Sequence, residues 1–479
     1  MKTNLRIAII IYTAAILMTY LCTIDNSVGF DNDASAIASY TDYGMYVVRT
    51  HQDHLLETVM NKAWFDLFRF FGFQGSAIMP LRFLSCIFGA LGVVGFFILL
   101  RIIFGLNRVA FFGSAGLAFS FFYWVFSTDI EGHLFPQAVF IYCLILLFRL
   151  DGNKAGAKIR LLAILHSICN FLSTIYIFFL PAIVVGILTC GDSFKNRRRL
   201  LLSYLKLMFF FWLLPNLAVA VYFYFYGAEG WLKFSPDLFR HLFNWFKDEV
   251  ELQPFRLVNL PVYYTHVINY TYNLPRALAG AVISFYVFFA FLFIKNIKNI
   301  VNNYRRVLLV VVALIVPYQL ILLVYEPYNL ERYSHFLIGF WLILAILMKP
   351  CLVNKKIWLR VLPFLFVLFT FYLNLTFYIY PRHIVVLGPI RQGWIDNLNK
   401  QVEELYKKGQ YQDALGPLRE IGRILVRTFG YNDPHVVKYV DRLAGLYIKI
   451  GRSDKAAELK CSYKRWVDES LSPKRFYFQ

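Results

Sequence analysis

The sequence predicts an all-α protein: a polytopic transmembrane bundle of about 11 helices, followed by a soluble α-helical repeat domain. Hydrophobic residues make up 59% of the 479 residues and charged residues only 16%, a composition that excludes a soluble enzyme. The apolar residues form continuous runs, such as residues 91–100 and 307–316, whereas a membrane β-barrel alternates apolar and polar residues. Short basic segments separate the runs, as expected for cytoplasmic loops.

The formal net charge of +20 therefore does not indicate nucleic-acid binding, because much of the basic charge lies in these short loops. Seven cysteines are scattered along the chain without a C-x-x-C pair. Neither a zinc site nor a disulfide framework is predicted.

The first apolar segment runs to Cys22 and follows Lys2 and Arg6. We interpret it as an uncleaved first helix with its N-terminus in the cytoplasm; a signal peptide is the alternative, but the segment is long and lacks an A-x-A site. Residues 23–80 form a long acidic loop, which we place on the extracytoplasmic side.

Helices 2 to 4 are predicted at about 81–104, 108–127 and 134–150. The next apolar stretch, 161–190, has basic loops on both sides and is too short for two full spans of ~20 residues. It is predicted to form two short helices or a re-entrant hairpin, with a break near Asn170–Ser173.

A seventh helix is predicted at about 200–226, followed by an outer aromatic loop at 227–276. The last four helices are predicted at about 277–297, 307–325, 335–349 and 357–378, with a basic loop between the first two. These segments make residues 1–378 a multi-pass domain of the inner (plasma) membrane. Because the number of crossings is odd and the N-terminus is in the cytoplasm, the C-terminal domain is predicted to lie outside the cytoplasm.

After a linker at 379–394, residues 395–479 are predicted to be a helical repeat. Gly409 and Gly451 are 42 residues apart, and each is followed at the same offset by a small residue, Ala414 or Ala456. This pattern resembles tetratricopeptide repeats, which bind protein partners. The alternative is a plain helical stack without a partner.

Candidate chemistry lies in the predicted outer loops. Asp31 and Asp33 follow helix 1, where a carboxylate can accept a proton or hold a metal ion; a D-x-D pair also occurs by chance or as a helix cap. His51 and His54 share a helical face beside Asp53, as metal ligands or as ordinary hydrogen-bonding groups.

Two further pairs occur near the predicted ends of helices 3 and 9. Asp129 and Glu131 follow an aromatic segment, as candidate functional carboxylates or as a helix cap beside an interfacial belt. Arg332 and His335 are one helical turn apart, a spacing that suits a phosphate at head-group level; the alternative is an internal ion pair with Glu331 or Glu326.

The order of these motifs resembles polyprenyl-phosphate-dependent glycosyltransferases of the GT-C fold, which include protein O-mannosyltransferases, oligosaccharyltransferases and the lipid A aminoarabinose transferase. The resemblance covers about residues 1–378. It rests on Asp33 followed by residues 51–56 (HQDHLL), on residues 123–131 with their TDIE ending, and on residues 325–332 (YEPYNLER). The chain departs from the family pattern at Gln52, Asp53, Glu57 and Arg332.

The resemblance implies transfer of a sugar from a polyprenyl-phosphate donor to a glycan, lipid or protein acceptor on the extracytoplasmic face. It implies Asp33 as the base, with Asp31 second, and Arg332 with His335 at the donor phosphate. The remaining candidates are supporting groups: Asp129, Glu131, His51, His54 and Glu331. A divalent metal ion would be held by Asp33 with Asp129 or Glu131.

Two other functions stay open. A transporter or flippase of a lipid-linked glycan predicts charged residues near the bilayer midplane and two related halves, and neither is evident in the sequence. A membrane scaffold that presents the repeat domain leaves the acidic loop clusters unexplained.

Overall fold

The computed structural model describes residues 3–24, 37–38, 41, 55–73, 77–130, 132–150, 154–191, 193–215, 217, 265, 267–269, 275–325, 330–379, 389–429 and 434–470. These residues are almost entirely helical, and no strand occurs among them. They fall into two compact units, one within Met1–Thr23 and Tyr40–Tyr378 and the other within Ile24–Ser39 and Ile379–Gln479. The predicted all-α class is confirmed for the described residues.

The first part of the first unit is a series of helices in which α3 packs against α1, α4, α5 and α6. The bounds are α1 Thr3–Cys22, α2 Leu55–Phe70, α3 Ile78–Phe104, α4 Asn107–Phe119, α5 Phe121–Thr128, α6 Leu134–Phe148, α7 Ala155–Leu172, a first 3-10 helix Thr174–Phe179, α8 Leu180–Leu188 and α9 Phe194–Met208, which continues as a π-helical turn Phe209–Leu213.

The second part of the unit packs against the first through α10, which contacts α8, and through α11, which contacts α4. The bounds are α10 Arg276–Tyr325, a second 3-10 helix Leu330–Phe336, α11 Leu337–Val353 and α12 Ile357–Asn374, which continues as a π-helical turn Leu375–Ile379.

Six of the described helical stretches are long and apolar enough to cross a membrane, and the number rises to seven if α4 and α5 count as one span. Length and composition thus identify this unit as part of a membrane protein. The prediction of about 11 crossings remains a prediction.

The helix predicted at 108–127 is not straight. It bends by 64° between α4 and α5, where Ser120 has extended backbone angles (φ −62°, ψ 140°). The Trp341 indole N–H donates to the Ser120 Oγ at 2.7 Å, and Ser120 Oγ donates to the Gly116 carbonyl at 2.8 Å. A Cβ on Gly116 would lie 2.1 Å from the Trp341 ring, so glycine lets α11 approach the bend.

The break predicted near Asn170–Ser173 lies at Ser173. The α7 helix ends at Leu172, Ser173 is extended (φ −158°, ψ 120°), and the first 3-10 helix and α8 lead away. The 161–190 stretch is therefore interrupted where predicted, but the prediction of two short helices is wrong for α7, which begins at Ala155, before the predicted stretch, and is long enough to cross a membrane.

The predicted basic loop between residues 297 and 307 is helical instead, which corrects the sequence interpretation. The α10 helix continues through it, and its break is confined to Tyr304 (φ −126°, ψ 23°). Lysine and arginine are good helix formers, so basic residues mark a membrane boundary without ending a helix.

The described C-terminal part of the second unit has four helices around their own apolar core. Their bounds are α13 Pro389–Lys407, α14 Leu415–Phe429, α15 Pro434–Lys449 and α16 Ser453–Ser470. The first of them begins inside the predicted linker at 379–394. The core includes Leu418, Val440 and Leu446, with the small residues Ala414 and Ala456 buried where helices meet.

The two glycines of the predicted repeat have the same conformation. Gly409 and Gly451 have φ angles of 72° and 75°, in the left-handed region that favours glycine. Residues 409 and 410 donate to the Tyr406 and Leu405 carbonyls, and residues 451 and 452 donate to the Ile448 and Tyr447 carbonyls. Both turns therefore end a helix with the same pair of backbone hydrogen bonds.

Candidate functional site

One end of the membrane unit contains a group of buried polar side chains, which we call the polar end cluster. Each member is at most 7% exposed. They lie on α2, at the start of α3, after α5, at the start of α6 and on the second 3-10 helix: Glu57, Asn61, Arg82, Asp129, His133, Gln137, Ser334 and His335.

A buried ion pair joins two of these elements. Arg82 Nε and Nη2 each lie 3.4 Å from Asp129 Oδ1, which also accepts the Ile130 backbone N–H at 2.8 Å. Both side chains are almost completely buried, at 4% and 0% exposed. A buried charge is costly unless it is paired, so each partner makes the other tolerable in the bundle.

Close helix packing positions this pair. A Cβ on Gly92 of α3 would lie 2.1 Å from the Tyr123 hydroxyl of α5, and that hydroxyl donates to the Gly89 carbonyl at 3.0 Å. Small residues allow two helix backbones to approach closely in a membrane bundle. The contact holds α5, and so the residue after it, against the helix that carries Arg82.

The α2 helix brings Glu57 and Asn61 to the cluster. Its apolar face packs against the bundle core, and the Trp64 indole N–H donates to the Pro80 carbonyl at 2.8 Å. The Glu57 carboxylate lies against Gly132, where a Cβ would be 2.3 Å from Oε2. The glycine thus leaves room for a carboxylate beside the chain that joins Asp129 to His133.

His335 is enclosed by aromatic rings. The Tyr176 hydroxyl and His335 Nδ1 form a hydrogen bond of 3.0 Å, and the ring centroids of His133 and His335 are 5.2 Å apart in an edge-to-face arrangement. Phe179 and Tyr318 complete the enclosure, with centroids 6.2 and 5.5 Å from His335. The imidazole is held in one orientation by these contacts.

A second histidine extends this arrangement into the bundle. His166 Nε2 lies 3.0 Å from the Tyr176 carbonyl oxygen, and His166 Nδ1 forms a hydrogen bond with the Tyr204 hydroxyl. All three residues are at most 1% exposed. Polar contacts therefore link Tyr204 and His166 to Tyr176 through its carbonyl, and Tyr176 contacts His335 through its hydroxyl.

Some buried polar atoms of the cluster have no hydrogen-bond partner among the described residues: Asn61 Oδ1, Gln137 Oε1 and Ser334 Oγ. Gln137 nevertheless uses its amide N–H, which donates to the Ser334 carbonyl at 3.0 Å. Buried polar groups are normally satisfied by protein or by ordered water. These atoms are therefore positions at which water or a bound hydroxyl group can complete the bonding.

The structure places two of the predicted site residues, Asp129 and His335, in the polar end cluster. Glu331 and Arg332 belong to the same 3-10 helix as His335, so the late predicted motif adjoins the cluster through its backbone. The other predicted residues lie outside the described part of the chain: Asp31, Asp33, His51, His54 and Glu131.

The suggested metal site gains no support from its one described member. The Asp129 carboxylate is engaged by Arg82 and by a backbone N–H, so it is less suited to a metal ion than a carboxylate with free oxygens. Across the described ranges, no group of three or more His, Cys, Asp or Glu side chains is arranged to hold a metal ion.

Sequence reasoning missed Arg82, Glu57, His133 and Gln137 as members of this site. Arg82 carried a usable signal, because it is a lone charged residue at the start of a long apolar run. Glu57 also carried one, as a departure from the family pattern. Their proximity depends on how α2 docks, which residue spacing does not show.

The cluster combines a carboxylate, a guanidinium–carboxylate pair and two imidazoles in a site that is largely closed to water. Carboxylate and imidazole groups can accept or donate protons, and a fixed cation can stabilise developing negative charge. Such effects are stronger where water is excluded.

Neither a protein-family model nor a curated protein sequence matches this chain.

Proposed function

We propose that the chain is an integral membrane glycosyltransferase with a GT-C-like fold, and that it moves a sugar from a polyprenyl-phosphate donor to an acceptor at the polar end cluster. The observation that carries the proposal is the burial of Glu57, Arg82, Asp129, His133 and His335 together at one end of an apolar bundle. Buried ionisable groups in a membrane unit are functional candidates by default.

The proposed reaction is a displacement at the sugar. The acceptor hydroxyl oxygen forms a bond to the anomeric carbon, the bond from that carbon to the phosphate oxygen breaks, and the hydroxyl proton passes to the base. Asp33 is the base in this proposal, with Asp31 second. Arg332 and His335 stabilise the departing lipid phosphate.

The acceptor is a glycan, a lipid or a protein. We propose that the cluster faces the extracytoplasmic side of the inner (plasma) membrane, where a lipid-linked donor replaces a nucleotide sugar. The second unit is proposed to be a tetratricopeptide-like domain that recruits the acceptor or a partner protein.

The catalytic proposal is tested by a transfer assay with a radiolabelled polyprenyl-phosphate sugar and membrane acceptors. Asp33→Asn keeps the side-chain shape and removes the base, so transfer is expected to fall by roughly 10²–10⁴-fold. Asp42→Asn, further along the same loop, serves as the control and is expected to be milder. Expression, thermal stability and donor binding should change little in either variant.

A second pair of variants on α2 tests the polar end cluster itself. Glu57→Gln changes a carboxylate that is 3% exposed, whereas Asp66→Asn changes an exposed one that pairs with Lys62. Only Glu57→Gln should reduce transfer. The catalytic proposal would be contradicted if Glu57→Gln, Asp66→Asn and Asp33→Asn all transferred sugar at the wild-type rate.

A transporter of lipid-linked glycans is the second candidate, because the polar contacts from Tyr204 through His166 to His335 extend into the bundle. Buried histidines in a membrane unit can mark the substrate or proton pathway of a transporter. A vesicle assay separates the two functions: a transporter moves a fluorescent lipid-linked glycan across the bilayer without forming a new glycosidic bond. A scaffold function has no specific contact in its favour.

A further inference from the structure

A polar cleft lies at the opposite, basic end of the membrane unit, away from the proposed reaction. It lies between the middle of α10 and the end of α11 and has a volume of about 270 Å³. Its lining consists of amide, lysine, tyrosine and aliphatic side chains: Asn296, Asn299, Ile300, Asn303, Tyr304, Ile346, Leu347, Lys349, Pro350 and Val353.

The cleft contains a lysine in a fixed position. Lys349 Nζ donates to the Tyr304 hydroxyl at 2.7 Å. The same ammonium lies 5.3 Å from the Tyr304 ring centroid and 5.9 Å from that of Phe104, within the range of cation–π contacts. An ammonium has three N–H donors, so two remain for other acceptors. Tyr304 is also the residue at which α10 departs from helical geometry.

Three asparagines form the other wall. Asn296, Asn299 and Asn303 are spaced by three and four residues, so they share one face of α10. Asn303 Nδ2 donates to Asn299 Oδ1 at 2.6 Å, and Asn296 Nδ2 donates to the Leu292 carbonyl at 2.9 Å. Asparagine is a poor helix former, so helix stability does not account for four asparagines within residues 296–303, three of which line the cleft.

The two helices that line the cleft, α10 and α11, carry charged residues of one sign only. No Asp or Glu occurs in residues 276–325 or 337–360, while Lys295, Lys298 and Arg305 lie on α10 near the cleft. Arg306 is directed elsewhere, because its Nη2 donates to the Leu147 carbonyl at 2.8 Å. A polar cleft between two helices whose charged residues are all basic attracts anions.

The position of the cleft along two apolar helices suits a lipid head group. It lies beside the helical stretches Arg276–Leu320 and Tyr333–Val353, both of which are long and apolar enough to span a membrane. Basic residues at such a boundary are attracted to anionic head groups. Ile300, Leu347 and Val353 provide an apolar side to the same cleft.

We propose that this cleft binds a phosphate-bearing group, with Lys349 donating to the phosphate and the asparagine amides bonding to its oxygens or to attached hydroxyl groups. The phosphate is either that of a lipid head group or a free ion. This second site is separate from the polar end cluster and does not depend on the glycosyltransferase proposal.

The test uses the full chain in nanodiscs of phosphatidylcholine, with binding of short-chain phosphatidic acid and of inorganic phosphate measured by calorimetry. Loss of a charge-assisted contact in Lys349→Gln should raise the Kd by about tenfold or more. Lys355→Gln, which changes an exposed lysine outside the lining of the cleft, should bind as the wild type does.

A second variant separates binding from folding. Asn299→Ala with Asn303→Ala introduces better helix formers and removes cleft amides, so α10 should remain folded while binding weakens severalfold. Binding of both probes identifies free phosphate as sufficient, and binding of phosphatidic acid alone identifies the lipid. The proposal is overturned if the wild type binds neither probe, if the double variant binds like the wild type, or if Lys355→Gln weakens binding as much as Lys349→Gln.

Discussion

The pairing of Arg82 with Asp129 shows how a single charged residue is accommodated inside an apolar helix. Both guanidinium nitrogens approach the same carboxylate oxygen, so the pair is not the parallel two-bond arrangement that arginine often forms with carboxylates. The Ile130 backbone N–H also donates to this oxygen, so three donors share one oxygen of Asp129. The pair neutralises both charges inside the bundle.

Removing one member of the pair should be worse than removing both. Arg82→Met or Asp129→Leu leaves an uncompensated buried charge, and each is expected to cost about 3–5 kcal/mol of stability. The double variant should be more stable than either single variant, because neither charge of this pair is left buried without its partner. Thermal unfolding of the detergent-solubilised protein measures the difference, and losses that simply add would show that the pair is not coupled.

At the residue scale, sequence reasoning identified some site members and missed others for a physical reason. Asp129 and His335 stand next to apolar segments, so their place at the end of a bundle can be predicted from the sequence. Glu57 lies in a segment that the sequence presents as a polar loop. It becomes a buried carboxylate because α2 packs on α3, α6 and α7 and because Gly132 leaves room for it.

At the scale of elements, bends in the helices decide where the cluster lies. The 64° bend at Ser120 redirects α5, so that Asp129 comes within reach of Arg82. The break at Ser173 lets Tyr176 face His335. Polar side chains that line such breaks satisfy backbone groups that a continuous helix would satisfy internally.

The bend at Ser120 should depend on its hydroxyl. Ser120→Ala removes the acceptor of the buried Trp341 N–H, which should lower the stability by about 1–3 kcal/mol. Ser284→Ala is the control. Ser284 also lies in a helix of the membrane unit and donates to a carbonyl of its own helix, that of Gly280, but it differs from Ser120 in being exposed. A lower Tm for Ser120→Ala alone is expected, and equal Tm values for both variants would contradict this role.

Helix breaks differ in how visible they are in a sequence. The break at Ser173 can be predicted from charge. The stretch of thirty residues has a basic loop at each end, both are expected in the cytoplasm, and the chain therefore has to turn back between them. The bend at Ser120 has no such signal, since it arises from packing against Trp341. The missing loop between the predicted helices at 277–297 and 307–325 is the opposite error, in which basic residues were taken to end a helix that continues.

At the scale of the whole molecule, the chain joins a membrane unit to a separate helical unit with its own core. The side of the membrane on which the second unit lies follows from the number of crossings. An odd number, as the short basic loops predict, places it outside the cytoplasm.

Cys461 provides a direct test of this placement, because its side chain is exposed on α16. A membrane-impermeant thiol reagent should label Cys461 in cells whose outer layer has been permeabilised while the inner membrane remains intact. The variant Cys461→Ser is the control, because Cys22 is also exposed. Labelling of Cys461 only after the membrane is opened would mean that the crossings are even in number.

Deletion of residues 379–479, the C-terminal part of the second unit, tests the proposed role of this part in recruitment. The cut belongs after Tyr378, because a cut at 395 would divide α13 and leave part of its helix attached to the membrane unit. Binding of the donor lipid should persist while transfer to the natural acceptor falls. A folded truncated protein that no longer binds the donor would contradict this division of labour.

The matching glycine turns at Gly409 and Gly451 also bear on how this unit can change in evolution. Each turn reverses the chain through the same backbone bonds, 42 residues apart, so a duplicated block of that length would begin and end in compatible conformations. Gene duplication could therefore lengthen the array without a new junction having to be invented. The number of repeats, and with it the surface area of this unit, could therefore change in evolution without a change in the membrane unit.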